Sequence, residues 1–160
     1  MGLSNKISNI FEKYVITGGL NPYEYADYLR KKGLSVGKDC YIIPKNLGIE
    51  KGNIRIGNNC WVVSGVKFID HDASVIPIAK SKQISEKKLV PQRGKINIKD
   101  NCFIGDSSIV MFGVTIGPNS VVGAGSIVTK DVPPDTVVAG IPAKFLSSID
   151  EWFDKKMKKD

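Results

Sequence analysis

The stretch IKDNCFIGDSSIVMFGVTIGPNSVVGAGSIVTKDV, residues 98–132, repeats one pattern every six positions. An aliphatic residue opens each hexad, and a small or β-branched residue follows four positions later. The aliphatic positions are Ile98, Ile104, Val110, Ile116, Val122 and Val128; the small positions are Cys102, Ser108, Val114, Ser120, Ser126 and Val132. Neither an α-helix nor a half-buried strand has a period of six. The repeat predicts a β-solenoid in which each hexad is one short strand and one turn, and three hexads complete a coil of about 18 residues.

The same phase extends toward the N-terminus. It includes Ile56, Val62 and Phe68, and before them Val36 and Ile42, with a two-residue slip within residues 45–53. The three cysteines, Cys40, Cys60 and Cys102, all fall at the small position of a hexad. This placement predicts buried, reduced thiols that act as small apolar side chains, and their number and spacing match neither a disulfide framework nor a zinc site.

The segment GAGSIVTKDVPPDTVVAGIPAK, residues 123–144, ends the repeat with a specific motif. With it, the chain resembles the hexapeptide-repeat acyltransferases over roughly residues 36–146. Within that family it is most similar to the sugar O-acetyltransferases of the maltose, galactoside, nodulation and surface-polysaccharide types. The resemblance implies a mainly β fold, a left-handed parallel β-helix of triangular coils, and an acetyl-coenzyme A-dependent enzyme.

Three segments depart from the repeat. Residues 1–35 predict a helical cap, with a helix at residues 22–32 that begins at the capping-box-like Asn21-Pro22-Tyr23-Glu24, and a weaker helix at residues 7–14. The repeat occupies residues 36–146, but its phase disappears at residues 73–95, which predicts a loop extruded from the solenoid. Residues 147–160 predict a C-terminal helix that begins at a second capping box, Ser148 to Glu151, with an apolar side formed by Trp152, Phe153 and Met157.

The only histidine, His71, directly precedes the predicted loop and lies at a turn position of its hexad, between Asp70 and Asp72. The resemblance implies that His71 is the catalytic base. A neutral imidazole takes the proton of an acceptor hydroxyl as it attacks the thioester of acetyl-coenzyme A, with backbone N–H groups of a neighbouring coil as oxyanion donors. The acetyl group is then transferred directly. The two aspartates are candidates for substrate binding or for orienting His71, and a turn aspartate in solvent is an equally good interpretation of each.

The resemblance also implies which residues contact acetyl-coenzyme A: Phe103, Asp106, Gly123, Ala124, Thr129, Lys130 and Lys144. Phe103 stands where the family commonly has tryptophan, and Asp106 where it often has a small hydroxyl residue. The family packs as homotrimers, so the resemblance implies sites between subunits that take a small-molecule or glycan acceptor.

The net charge is +7, which fits a phosphorylated ligand, an anionic surface or an ordinary charged exterior. No interleaving of aromatic and basic residues predicts nucleic-acid binding, and contact with a membrane face is left open. The N-terminus lacks a secretory signal, which predicts a cytoplasmic protein. One histidine excludes a three-histidine zinc site within a subunit, and no metal is expected. An amino-sugar or antibiotic N-acetyltransferase and a non-catalytic solenoid scaffold are the alternative hypotheses.

Overall fold

The computed structural model describes residues 19–43, 52–85 and 89–158. Within them the chain is mainly β with few helices, as predicted. The helices are α1 (Pro22–Lys31), α2 (Val75–Ser81) and α3 (Ile149–Met157). The strands are β1 (Ser35–Val36), β2 (Tyr41–Ile42), β3 (Ile54–Ile56), β4 (Trp61–Val62), β5 (Lys67–Phe68), β6 (His71–Asp72), β7 (Gln92–Arg93), β8 (Ile96–Ile98), β9 (Phe103–Ile104), β10 (Ile109–Val110), β11 (Thr115–Ile116), β12 (Val121–Val122), β13 (Ile127–Val128), β14 (Thr136–Ala139) and β15 (Lys144–Ser148).

Helix α1 begins where the sequence predicts. The Asn21 side chain accepts hydrogen bonds from the backbone N–H groups of Tyr23 and Glu24, and the Glu24 carboxylate accepts one from the N–H of Asn21. These reciprocal bonds satisfy donors that have no partner inside the helix. The helix begins at the predicted residue and ends at Lys31, one residue before its predicted end. The weaker helix predicted at residues 7–14 lies outside the described residues.

Most of the strands form three parallel sheets, and successive strands along the chain belong to different sheets in turn. Sheet A has the order β1-β3-β8-β11, sheet C has β13-β10-β5, and sheet B has β15-β14-β12-β9-β4-β2, in which β15 alone is antiparallel. In the regular region the paired residues lie 18 positions apart, as in Asn97 with Thr115 and Phe103 with Val121. Three hexads make 18 residues, so the predicted repeat is confirmed as the period of strand pairing.

Two insertions interrupt this period. Tyr41 pairs with Trp61 at a separation of 20, which accounts for the predicted slip of two residues. Trp61 pairs with Phe103 at a separation of 42, which adds 24 residues between β5 and β8. The segment predicted as an extruded loop at residues 73–95 contains secondary structure, namely α2 and strand β7, which pairs antiparallel with β6. We call residues 69–95 the excursion.

The core consists of the residues that point inward from the hexads. Every aliphatic and small hexad position named above is buried. The buried serines keep hydrogen bonds to backbone carbonyls, as Ser108 does with Gly123 at 3.0 Å, so the narrow interior accepts small polar side chains without an unpaired group.

The three free thiols are buried as predicted. Cys40 and Cys60 each lie 3.0 Å from a carbonyl oxygen of the adjacent coil. Interaction with the neighbouring Cys102 thiol and burial raise the pKa of the Cys60 thiol to about 12, and interaction with the Cys60 thiol and burial raise the pKa of Cys40. Both thiols therefore stay protonated at neutral pH.

We expect a thiol-specific reagent to label none of the cysteines in the folded protein at pH 8 and all three after unfolding in urea, because all three are buried away from the reagent and the raised pKa values of Cys40 and Cys60 also suppress their reactive thiolates. The folded pKa of Cys60 lies above the unfolded value of 9.0. The stability it contributes is therefore complete below pH 9 and is lost as the pH rises toward 12. Spectrophotometric thiol counting checks the first expectation, and rapid labelling of the folded protein would contradict it.

A row of side chains joins the turns between sheets A and B. The Asn59 amide donates to Asn101 at 3.0 Å, Asn101 to Asn119 at 2.8 Å, and Asn119 to the Asp135 carboxylate at 2.8 Å. All four residues have positive φ angles between 50° and 58°. Asparagine and aspartate tolerate this left-handed conformation better than other residues with a side chain. We call this row the amide ladder; the hexad analysis did not predict it.

Asn101→Ala is expected to lower the free energy of unfolding by about 2 kcal/mol, because alanine is strained at the φ of 58° and loses two side-chain hydrogen bonds. Asn101→Gly is the matched control: it loses the same bonds but accepts the positive φ, and we expect a loss of about 1 kcal/mol. Urea denaturation at fixed protein concentration measures both, and a larger loss for glycine than for alanine would contradict the explanation.

The C-terminal end is covered by β15 and α3. The Ser148 side chain accepts a hydrogen bond from the N–H of Glu151 at 3.2 Å, which is one half of the predicted capping box. The predicted helix is present, but no residue of α3 is buried, and Phe153 and Met157 of its apolar side are exposed. Among the described residues, no helix has the length and apolar character needed to cross a membrane.

Candidate active site

His71 begins strand β6, directly after the chain leaves sheet C at the start of the excursion. It pairs with Arg93 of β7 in an antiparallel register, and its side chain is 49% exposed. The sequence predicted an outward-facing turn; the side chain does point outward, but the backbone is a short strand because β7 returns beside it. The hairpin therefore presents the imidazole to solvent.

Asp70 lies next to His71 and is only 2% exposed. Its Oδ1 is 2.7 Å from Nδ1 of His71. A carboxylate only accepts hydrogen bonds, so this contact assigns the ring proton to Nδ1 and leaves the lone pair on Nε2. The second oxygen, Oδ2, accepts a hydrogen bond from Nδ2 of Asn53 at 2.8 Å. The arrangement holds a histidine in the tautomer that a general base requires.

Asp72 has a different environment. Its Oδ1 accepts a hydrogen bond from the N–H of Ser74 at 2.7 Å. The hydrogen bonds from the backbone and side chain of Ser74, with a smaller effect of His71, hold the pKa of this carboxyl below its usual value. Asp72 therefore initiates the turn that leads into α2, as a solvated turn aspartate would.

A cavity of about 350 Å³ lies within the excursion, lined mainly by apolar side chains such as Val75 and Ile78, and also by Asp72 and Gln92. Asp72 and Gln92 are opposite each other in the β6–β7 pair. Successive side chains of a strand point to opposite faces, so the cavity and the His71 imidazole lie on opposite faces of the hairpin.

The predicted coenzyme A residues fall in separate stacks of turns. Asp106, Gly123 and Ala124 lie in the turns between sheets B and C, where the N–H of Gly125 donates to the carbonyl of Asp106 at 2.7 Å. An added Cβ on Gly123 would lie 2.9 Å from the Cβ of Ala139. The residue paired with Ala139 is Lys144, so this face brings four of the predicted residues close together.

The other predicted residues lie on neighbouring surfaces. Phe103 points outward from sheet B and is 37% exposed. The next strand of that sheet presents Trp61, which stacks on Tyr41 with ring centroids 4.5 Å apart. Thr129 and Lys130 are exposed in the turn after β13, in the same stack of turns, between sheets C and A, as the excursion.

Within one chain, the predicted site residues therefore lie in two different stacks of turns. His71 belongs to the turns between sheets C and A, whereas Asp106, Gly123 and Ala124 belong to those between sheets B and C. Sequence reasoning missed Asn53, because it lies 17 residues before Asp70 and outside any motif. Only the pairing of β3 with β8 at the base of the excursion indicates that Asn53 lies near this turn.

Comparisons with known proteins give the relationships of the chain. Residues 95–130 match a family model described as the hexapeptide repeat of succinyl-transferase. Protein CapG of Staphylococcus aureus is 43% identical over 134 residues, which cover 81% of this chain and 74% of that protein. The galactoside O-acetyltransferase of Escherichia coli K12 is 52% identical over 133 residues, which cover 73% of this chain and 64% of that enzyme.

Solved structures give the same result. A hexapeptide-repeat acetyltransferase of Vibrio cholerae, determined in complex with acetyl-coenzyme A, aligns with a TM-score of 0.53 and 25% identity over 92% of this chain and 91% of that one. The sequence repeat, the strand period of 18 residues and these relatives agree. The chain belongs to the hexapeptide-repeat acetyltransferase family.

Proposed function

We propose that this acetyltransferase moves the acetyl group of acetyl-coenzyme A to a sugar hydroxyl in glycan or surface-polysaccharide biosynthesis, with His71 as the general base. The observation that carries the proposal is the contact between the buried Asp70 carboxylate and the exposed imidazole, 2.7 Å long. The galactoside O-acetyltransferase among the relatives supports a sugar acceptor and transfer to oxygen.

In this mechanism Nε2 of His71 receives the proton of the acceptor hydroxyl as the oxygen attacks the thioester carbonyl. Asp70 keeps the opposite ring nitrogen protonated and stabilises the positive charge that forms on the ring. Of the two roles predicted for Asp70, this geometry supports orientation, because Oδ1 and Oδ2 contact His71 and Asn53. Asp72 remains a predicted contact to the acceptor.

A covalent acetyl-enzyme is not part of the proposal. The cysteines are buried, and the raised pKa values of Cys40 and Cys60 keep both as thiols. A thiol without access to solvent is a poor nucleophile. Direct transfer between two bound substrates fits these observations.

Acetyl-coenzyme A is the co-substrate, and the residues predicted for it suit its parts. The exposed ring of Phe103 offers an apolar surface for the pantetheine arm. The backbone at Gly123 and Ala124 offers polar groups along a turn, with Asp106 in the same stack of turns; Thr129, also predicted to contact the cofactor, lies in the stack between sheets C and A. Lys130 and Lys144, both exposed, would meet the phosphates.

The proposed architecture is a left-handed parallel β-helix over residues 36–146, with the cap at 1–35 and the C-terminal segment at 147–160. Its proposed assembly is a homotrimer. The division of the predicted site between two stacks of turns supports this assembly, because a neighbouring subunit would supply the half of the site that His71 lacks within its own chain. A cytoplasmic location completes the proposal.

The test is release of free coenzyme A from acetyl-coenzyme A by the purified protein, with a panel of sugars, oligosaccharides, nucleotide sugars and amines. Acceptor-dependent release with hydroxyl sugars is expected. Mild hydroxylamine cleaves an acetyl ester but not an acetyl amide. Mass spectrometry of the product before and after this treatment therefore shows which bond has formed. Exclusive amide formation with amino sugars would replace the proposal by the N-acetyltransferase alternative.

A further inference from the structure

Asn53 occupies the base of the excursion, just before strand β3. Its Nδ2 donates a hydrogen bond to Oδ2 of Asp70 at 2.8 Å, while Oδ1 of the same carboxylate lies 2.7 Å from Nδ1 of His71. Its backbone carbonyl accepts a hydrogen bond from the N–H of Ile96 at 2.9 Å, where the chain re-enters sheet A. One residue thus contacts both the partner of the imidazole and the returning strand.

Asp70 makes the complementary connection. Its backbone carbonyl accepts a hydrogen bond from the N–H of Gly94 at 3.2 Å, which joins the outgoing and returning ends of the excursion. An added Cβ on Gly94 would lie 2.5 Å from the backbone nitrogen of Gly113 in the next coil. The ends of the excursion are therefore held close to each other and to the adjacent coil, so the carboxylate has a fixed backbone.

The terminal torsion of an aspartate side chain is broad and roughly two-fold, so a fixed backbone does not by itself fix the carboxylate plane. A charge-assisted hydrogen bond to one oxygen selects one plane and hence the position of the other oxygen. In this site, the bond from Asn53 to Oδ2 sets where Oδ1 meets Nδ1 of His71.

We propose that Asn53 is a positioning residue: its amide fixes the Asp70 carboxylate and thereby holds His71 in the Nδ1–H tautomer with Nε2 facing solvent. The inference rests on the proposed role of His71 as the base. Asn53 lies 18 positions before His71 in the sequence. Through its two contacts, the orientation of the imidazole is linked to the backbone pairing at the base of the excursion.

The single histidine makes the test direct, since the imidazole region of a ¹⁵N-labelled, tag-free protein contains one ring. Long-range ¹H–¹⁵N spectra at a pH where the ring is neutral report its tautomer. We expect Nδ1–H in the wild type, a mixture of both tautomers in Asn53→Ala, and partial recovery in Asn53→Gln, which keeps an amide donor. Asp70→Asn is expected to favour Nε2–H.

Asn97→Ala is the matched control, because Asn97 is a half-buried asparagine on the adjacent strand β8; its spectrum should equal that of the wild type. If Asn53→Ala does not fold, Asn53→Ser removes the same amide. With an active acceptor, kcat of Asn53→Ala should fall about tenfold while KM for acetyl-coenzyme A is unchanged.

A wild-type tautomer in folded Asn53→Ala or Asn53→Ser would overturn the inference. Nε2–H in the wild type would overturn both this inference and the Asp70–His71 arrangement. The expected tautomer changes without turnover of any acceptor would support the positioning role and count against the proposed function alone, so the two failures are distinguishable.

Discussion

Replacing His71 with alanine is expected to lower kcat for acetyl transfer by about 10²- to 10⁴-fold, the range over which a positioned acid–base group accelerates a reaction. The effect follows from the proposed role of the half-exposed imidazole as acceptor of the hydroxyl proton, and from the absence of any other histidine in the chain. Coupled detection of free coenzyme A measures the rate, and isothermal calorimetry measures binding of coenzyme A.

The control for this prediction is the binding measurement together with the thermal unfolding of the variant. Coenzyme A affinity should change less than twofold, and the melting temperature should stay near that of the wild type, since the imidazole is half exposed. Full activity in folded His71→Ala would remove His71 as the base. A lost affinity for coenzyme A with unchanged kcat would make it a binding residue.

Phe68→Ala should be the most destabilising of the substitutions considered, lowering the free energy of unfolding by about 3–5 kcal/mol. Among the residues that the structure describes, Phe68 is the largest of the fully buried side chains and is 1% exposed. It ends β5, and Val110 pairs with it in the next coil, so alanine leaves a void between coils that stacked backbones cannot close.

Urea denaturation at fixed protein concentration measures this loss, because assembly links stability to concentration. Phe68→Leu retains most of the volume and should cost about 1 kcal/mol. If the alanine variant were within 1 kcal/mol of the wild type, the interior at this coil would be able to collapse around the missing ring. Phe68 also precedes Asp70 by only two residues, so the leucine variant tests whether activity tolerates small shifts of the excursion.

The fold could be predicted from the sequence wherever the hexad repeat limits which side chains fit. A side chain that points into a narrow interior has few allowed sizes, and this limit repeats with every hexad. The cysteines at the small position were correctly predicted to be buried thiols for that reason. The start of α1 was predictable because its capping residues lie within four positions of one another.

The excursion lacked such local signals. Helix α2 contains Pro77, which reads as a breaker, but it lies in the first turn of the helix, where its missing N–H has no helical partner to lose. Ser74 precedes the helix without a side-chain capping bond, so the usual start signal is missing. The strand that holds His71 depends on β7, which lies 20 residues later.

The sequence predicted candidate residues for the site, but not which of them contact one another. His71 and its two acidic neighbours are visible in the sequence, but adjacency does not reveal which aspartate is buried. Burial of Asp70 and solvation of Asp72 depend on the direction in which the chain leaves β5. The contact with Asn53 depends on the register of β3 with β8, which the sequence separates by a variable insertion.

The amide ladder has a direction. Each asparagine donates its N–H toward the C-terminal coils, and the last position is Asp135, whose carboxylate can only accept. The row of donors therefore ends at Asp135, at the level where β15 pairs antiparallel with β14. A further asparagine stacked on this carboxylate would have to turn its amide the other way to bond to it, so the single polarity that runs through the repeat terminates at this one acidic residue.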